Sequence, residues 1–256
     1  MYMRNVKWER YHILAQDDVI RNCLPETRLF DAGTVFEMLQ KYEEIILKPI
    51  AGTKGNGVFK VAMIKDDVFE IHYSSNRKRI NKEKLIEQIL ALTKNSRYLV
   101  QQRIRLAEVN HCPFDLRVIV QRKKGSSEWE VTGQYAKIAR EGLITTNIAK
   151  KGRAMTVEAA IEKSNMEKQN VQKLLEELNF ICLRIASLIQ NQDLGRTLWG
   201  IDMGIDKTGK IWNIEVNAGS GLRGFRRLED KTMYKRIRSY IRYNRRFKPP
   251  GTRLNP

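Results

Sequence analysis

The chain has 256 residues, enough for one large domain or two closely joined lobes, each with its own apolar layer. Hydrophobic residues make up 42% and charged residues 30%, a balance that reads as folded and globular and excludes disorder except at the ends. The net charge of +18 raises nucleic acid, an anionic surface or an acidic substrate as partners, but the segment 222–256 holds twelve Lys or Arg against Glu229 and Asp230, leaving the rest only mildly basic.

The opening MYMRNVKWERYHIL is broken by charges and has no apolar run of signal-peptide length. The most apolar stretch, 180–189, contains Arg184 and is too short to cross a bilayer, so a soluble, cytoplasmic chain without a transmembrane segment is expected. Cys23, Cys112 and Cys182 are odd in number, far apart and without CxxC spacing, which fits a reduced chain with no zinc site. LPET at 24–27 is followed by Arg28 where a sortase signal needs glycine, and is set aside.

In chain order, a helix is expected over 33–43, followed by the apolar strand EIILKP at 44–49 and the loop AGTKGNG at 51–57. VFKVAMI and VFEIHY alternate apolar and polar residues around Asp66 and Asp67 and predict a hairpin. A helix over 81–93 places Leu85, Ile89 and Leu92 on one face, and YLVQQRI is the next strand. FDLRVIVQ and WEVTGQYAKIA bracket the turn KKGSS as a long hairpin, and 156–191 is helical with one break near 165–170. LWGIDMGID and KIWNIEVN form a last hairpin across 207–209. Beyond it Met233, Ile237, Tyr240, Ile241 and Tyr243 recur at helical spacing among Lys235, Arg236, Arg238, Arg242, Arg245 and Arg246. That pattern fits a docked helix with a solvated basic face, or one that takes acidic polypeptide, nucleotide phosphates or nucleic acid. Mixed strands and helices in two groups predict two α+β lobes with a cleft between them.

Three stretches carry candidate chemistry. LKPIAGTKGNGVFKV joins Lys48 to a loop with Gly52, Gly55 and Gly57, where backbone N–H groups can approach phosphate; a hairpin follows, so it is neither a Walker A loop nor a dinucleotide fingerprint, and an ordinary hairpin turn fits it equally. In KIWNIEVN the strand period of two puts Ile211, Asn213, Glu215 and Asn217 on one face. The hairpin then sets Asp202 across from Asn213 or Glu215, so Asp202, Glu215 and Asn217 offer hard oxygen ligands suited to magnesium; a solvated polar strand face is the simpler alternative. The third group is Asp115 and Arg117 in FDLRVIV, Lys137 in GQYAKIAR, and Asn147 and Lys150 in LITTNIAKKG. A carboxylate there can hold ribose hydroxyls, and the cations and amide can hold phosphate oxygens.

With these stretches in this order, the chain resembles the ATP-grasp superfamily, and within it the YheC/YheD group of endospore coat-associated proteins, through VKWERYHIL, CLPETRLF, IILKPIAGTKGNGVFKV, FDLRVIV, TTNIAKKG and WGIDMGIDKTGKIWNIEVNAGSG. The resemblance implies an α+β ATP-grasp fold with an N-terminal lobe over 1–100, a C-terminal lobe over 101–230 and a basic helix and tail over 231–256. It implies that Lys7 and Lys48 contact ATP phosphates, that the loop with Gly52, Thr53, Gly55 and Gly57 closes over them, and that Gln102, Arg103 and Ile104 form the adenine hinge. Asp115 would hold the ribose, Arg117, Lys137 and Asn147 would face the phosphates or an acyl phosphate, and Asp202, Glu215 and Asn217 would carry two magnesium ions. Gln101 and Gln102 stand where many family members have an acidic residue. The expected activity is an ATP- and magnesium-dependent carboxylate–amine ligase acting through an acyl phosphate. An acidic peptide or protein is its expected substrate, and a non-catalytic, ATP-binding coat protein is the alternative. Because Lys7 comes so early, the substrate-binding domain usual before the core is expected to be missing or supplied by a partner. Location in the mother cell or spore coat follows from the same resemblance. Nucleic acid is not expected as a partner.

Overall fold

The computed structural model describes residues 6–51, 56–73, 76–94, 96–139, 152–168, 170–219 and 221–247. It opens with α1 (Val6–Ala15) and α2 (Asp18–Arg21). Asp17 caps α2 by accepting from the Ile20 N–H at 3.0 Å. β1 (Thr27–Leu29) leads to α3 (Ala32–Tyr42), whose start is fixed by Asp31: its carboxylate accepts from both the N–H and the hydroxyl of Thr34. Val35, Met38 and Leu39, spaced by three and one, form the buried stripe of α3. Glu43, at φ 60°, turns the chain into β2 (Glu44–Pro49).

β3 (Phe59–Lys65) and β4 (Val68–Tyr73) form the expected hairpin, with Asp67 in the left-handed region at the turn. β5 (Asn76–Asn81), α4 (Lys82–Thr93) and β6 (Tyr98–Gln102) complete this half. The six strands pair antiparallel in the order β1-β6-β2-β3-β4-β5. Leu47, Phe59, Val61 and Val100 of the sheet meet Met38 of α3 and Ile89 of α4 in one apolar cluster. NRKRIN, which has almost no apolar alternation, is strand β5 because every residue from Asn76 to Asn81 pairs with β4. Its basic side chains blunt an exposed sheet edge.

The second half contains β7 (Glu108–Val109), β8 (Cys112–Gln121), β9 (Glu130–Ile138), β10 (Arg153–Met155), α5 (Val157–Glu162), α6 (Val171–Ile189), β11 (Leu198–Ile205), β12 (Ile211–Asn217) and α7 (Thr232–Arg246). Its sheet runs β10-β9-β8-β11-β12, again antiparallel, with β7 beside β8. One face packs on α6 through Phe114, Leu116, Val118, Trp199 and Ile201 against Leu178 and Ile185, and Leu14 of α1 and Ile20 of α2 join that cluster. The other face carries charged residues near its middle and, farther along, an apolar cover in which Phe225 and Ile237 pack on Ile119 and Tyr135. The helical region divides where expected, between α5 and α6. Cys23, Cys112 and Cys182 are free thiols. No helix among the described residues is long and apolar enough to cross a membrane.

Candidate functional site

Two charged groups occupy the polar face of the second sheet and its junction with the first. The first is built by register: Asp115 stands across from Lys137, and Arg117 lies across from Tyr135 on one side and Asp202 on the other. Arg117 grips Asp202 through Nε to Oδ1 at 2.8 Å and Nη2 to Oδ2 at 2.9 Å, a bidentate fork. Lys137 Nζ sits between Asp202 Oδ1 at 2.7 Å and Asp115 Oδ1 at 2.8 Å. Asp115, Lys137 and Asp202 are each 6–7% exposed. Burial alone would push the Lys137 ammonium down and the Asp202 carboxyl up; the facing opposite charges outweigh it, so Lys137 is raised and Asp202 lowered from their ordinary values. Gly200, two residues before Asp202 on β11, leaves room for this fork, since a Cβ there would come within 2.9 Å of the Gly219 carbonyl oxygen and 3.3 Å of Arg117 Nη1.

The second group depends on an irregularity in β12. Asp202 pairs with Glu215 but Met203 pairs with Asn213, so Ile214 is an extra residue, a β-bulge. The bulge resets the alternation. Glu215 and Asn217 lie on the polar face with Asp202, whereas Asn213 turns to the core side, where its amide donates to Met203 Sδ and its backbone N–H to the Cys23 carbonyl. The expectation that Ile211 and Asn213 share the face of Glu215 is therefore corrected: Ile211 is buried in the core with Ile205 and Met203. The Ile214 carbonyl, freed from the ladder, accepts from Lys48 Nζ at 3.5 Å, so the lysine at the end of β2 spans from one sheet to the other. Gln101 accepts from the same ammonium at 3.0 Å and donates to Thr27 Oγ1. α1 lies against this point: Lys7 pairs with Glu215 at 2.9 Å, Arg10 donates to the Val216 carbonyl at 2.8 Å, and Tyr11 accepts from the Thr27 N–H. Lys7, Tyr11, Lys48, Gln101, Ile214 and Glu215 line one recess. Burial brings the Lys48 ammonium down to about 8, with Glu215 partly opposing and Lys7 adding to the fall.

The structure thus brings together Lys7, Lys48, Asp115, Arg117, Lys137, Asp202, Glu215 and Asn217. The hinge residues behave differently. The Gln102 N–H donates to the Glu26 carbonyl and the Arg103 N–H to the Glu44 carbonyl, so both are engaged in backbone pairing, and β6 ends before Ile104. Gly57, at φ 76°, passes so near Tyr98 that a Cβ would lie 2.8 Å from its hydroxyl. Gly52, Thr53, Gly55, Asn147 and Lys150 lie outside the described residues. Gln101, Arg10 and the Ile214 carbonyl were not singled out for these contacts in the sequence. The strand period gave a signal for Gln101, which shares a side of β6 with Leu99, the register partner of Lys48.

The donor set fits magnesium. Asn217 Nδ2 donates to Asp202 Oδ2 at 3.0 Å and to Glu215 Oε2 at 3.4 Å, so two carboxylates and an amide converge on one spot, and the amide would turn its oxygen inward to join the carboxylates on a divalent ion. Among the described residues no three His, Cys, Asp or Glu side chains form a metal-holding group. A divalent ion would rely on these three residues plus oxygens of its ligand, the mode in which magnesium is held beside phosphates.

Residues 2–245 match the family described as YheC/D like ATP-grasp. The chain belongs to this family. Among curated relatives it is 24% identical over 222 residues to the endospore coat-associated protein YheD of Bacillus subtilis (strain 168), covering 84% of this chain and 48% of that one. YheC of the same organism, also described as endospore coat-associated, is 22% identical over 226 residues, covering 87% and 61%. The chain therefore spans about half to three fifths of the length of these relatives. Among solved structures, the ATP-grasp ligase PsnB in complex with its precursor peptide PsnA2 and AMPPNP aligns with a TM-score of 0.53 at 16% identity, over 93% of this chain and 58% of that one. The two antiparallel sheets with their helices are thus an α+β ATP-grasp fold.

Proposed function

We propose that this chain is an ATP- and magnesium-dependent carboxylate–amine ligase that works through an acyl phosphate, with an acidic peptide or protein as the substrate class. One observation carries the reading: cations from four separate elements, Lys7 on α1, Lys48 on β2, Arg117 on β8 and Lys137 on β9, gather around Asp202, Glu215 and Asn217. Such a set matches a triphosphate with its counter-ion. Lys48 and Lys7 are assigned to the phosphates, and Asp202, Glu215 and Asn217 to magnesium, which when bound neutralises phosphate charge. Gln102, Arg103 and Ile104 flank the adenine. Asp115 is assigned to the ribose, which would share it with Lys137. The substrate carboxylate oxygen attacks the γ-phosphorus and ADP leaves. The amine then attacks the acyl carbon and phosphate leaves, forming the amide. Arg117 and Lys137 neutralise charge developing at the transferred group, and no protein nucleophile is required. The PsnB complexes, with a precursor peptide and with magnesium and ADP, support a peptide substrate for this fold. The names of YheC and YheD favour a second reading, an ATP-binding coat protein without turnover; a mother-cell or coat location, and a partner supplying substrate-binding parts, go with either.

The test is thermal unfolding of the wild type, Lys48→Ala and Glu215→Ala with magnesium and AMPPNP, followed by ADP release from ATP with glutamate-rich peptides and amines. A magnesium-dependent rise in the wild type, absent from both variants, together with peptide-dependent ADP release, is expected. A rise without turnover on any peptide–amine pair favours the coat-protein reading, and no rise at all overturns the nucleotide site.

A further inference from the structure

The outer side of α7 is not used by the site above. Its inner side is Ile237, Tyr240 and Asn244, all buried. Asn244 accepts from the Lys124 N–H and donates to the Arg122 carbonyl, while Glu130 takes Arg236 and the Tyr240 hydroxyl, so the helix is fixed along its length. At 3.6 residues per turn, Lys235, Arg238, Arg242, Arg245 and Arg246 fall within about 100° of its circumference. All five are exposed, and among the described residues none lies within ion-pair distance of a carboxylate, although the charge of Lys235 acts on Asp230. Arg238 and Arg242, and Arg242 and Arg246, are four apart, a spacing at which like charges repel and destabilise a helix. Ile241 is half-buried beside four of these arginines, in a shallow recess that they line.

We propose that this face is the docking surface for an acidic polypeptide segment. The idea deepens the ligase reading, on which it rests for the link to catalysis but not for binding. Guanidinium groups form bidentate pairs with carboxylates, and Ile241 gives the aliphatic stems of glutamate side chains an apolar floor, which a phosphodiester backbone cannot use. Stacking on bases is poorly served: Tyr240 is buried, and Tyr243 lies off the arc with Lys123 Nζ 5.7 Å from its ring centre. A membrane surface is poorly served too, because the apolar side of α7 is already packed on the sheet. The location suits a substrate. Ile237 packs with Ile119, two residues along β8 from Arg117, and Phe225 meets Tyr135, the cross-strand partner of Arg117, edge to face, so the helix and the segment before it cover the same sheet face as the site.

The experiment is fluorescence anisotropy of a labelled ten-residue glutamate peptide, without nucleotide, on the full chain. Variants are Arg238→Glu/Arg242→Glu/Arg245→Glu and a charge-matched control on the other half, Arg77→Glu/Arg79→Glu/Lys84→Glu. Loss of three exposed ion pairs predicts about tenfold weaker peptide binding in the first, with the control within about twofold of wild type. Equal weakening in both would reduce the effect to net charge and overturn the proposal, as would no peptide binding in the wild type. Tighter binding of a labelled DNA duplex, lost in the α7 variant and falling steeply with salt, would overturn it in favour of nucleic acid. Lys48→Ala keeps peptide binding if the surface holds, so failure of the nucleotide site and failure of this surface give different results.

Discussion

The two charged groups that meet at the site are built on opposite plans. The Asp115–Arg117–Lys137–Asp202 group is closed: two cations and two carboxylates paired between neighbouring strands of one sheet, with Asp115, Lys137 and Asp202 buried and Arg117 half-buried. The Lys7–Lys48–Glu215 group is open: two cations share one carboxylate, and they come from α1, β2 and β12, with Lys48 leaning on a carbonyl and an amide instead of a charge. A closed network holds shape, because removing any member strands a buried charge. An open one holds a charge deficit that an anionic ligand can fill. The first group therefore carries more of the sheet's stability, while in the proposed ligase reading both groups meet the nucleotide and its metal, the second with the larger charge deficit to fill.

The comparison breaks most readily at Lys137. Lys137→Met leaves Asp115 and Asp202 facing each other without their shared cation, and urea unfolding should show a loss of about 3–5 kcal/mol; a loss below 1 kcal/mol would mean the network is not closed. Next in size, saturating AMPPNP and magnesium at about 100 times Kd should stabilise the wild type by about 2.7 kcal/mol. Lys48→Ala and Glu215→Ala should lose that increment while changing the unliganded protein far less than Lys137→Met does. A third test uses the depressed Lys48 ammonium at about 8. Phosphate beside it favours the protonated form, so the bound state holds more protons than the free state. AMPPNP affinity measured by calorimetry should accordingly fall as pH rises through about 8, and Lys48→Arg should flatten that dependence between pH 8 and 9.5, since a guanidinium stays charged. The smallest effect is expected from Tyr11→Phe, which removes the hydroxyl accepting from the Thr27 N–H and should cost about 1 kcal/mol in the same unfolding assay.

Much of this was legible in the sequence because strands with a regular period announce their faces. EIILKP, FDLRVIVQ and LWGIDMGID were placed within a few residues, and the shared face of Asp115 and Arg117 followed directly. The bulge was not legible: W-N-I-E-V-N continues a regular alternation through Ile214, and only the pairing with Met203 and Asp202 shows the slip. NRKRIN gave no strand signal because an edge strand held by backbone pairing to β4 needs no apolar face. α1 lacked a clean apolar stripe, since its contacts with β12 are made by Lys7 and Arg10 through polar ends. Family resemblance pointed to Lys7, where periodicity could not. The hinge expectation rested on resemblance alone; the N–H groups of Gln102 and Arg103 donate to the Glu26 and Glu44 carbonyls.

The clasp of α1 on β12 also has a consequence for the order of folding. Arg10 and the Val216 carbonyl are 206 residues apart, close to the full span between the first described helix and the last strand. Contacts so distant in sequence carry the entropy of closing a very long loop and form late. During synthesis the first sheet can complete itself from residues 27–102, but the helix bearing Lys7 has nothing to grip until β12 has left the ribosome. A chain stalled before that strand could acquire much of its first core and still have no assembled recess, so assembly of the proposed nucleotide pocket becomes a mark that the last strand is in place.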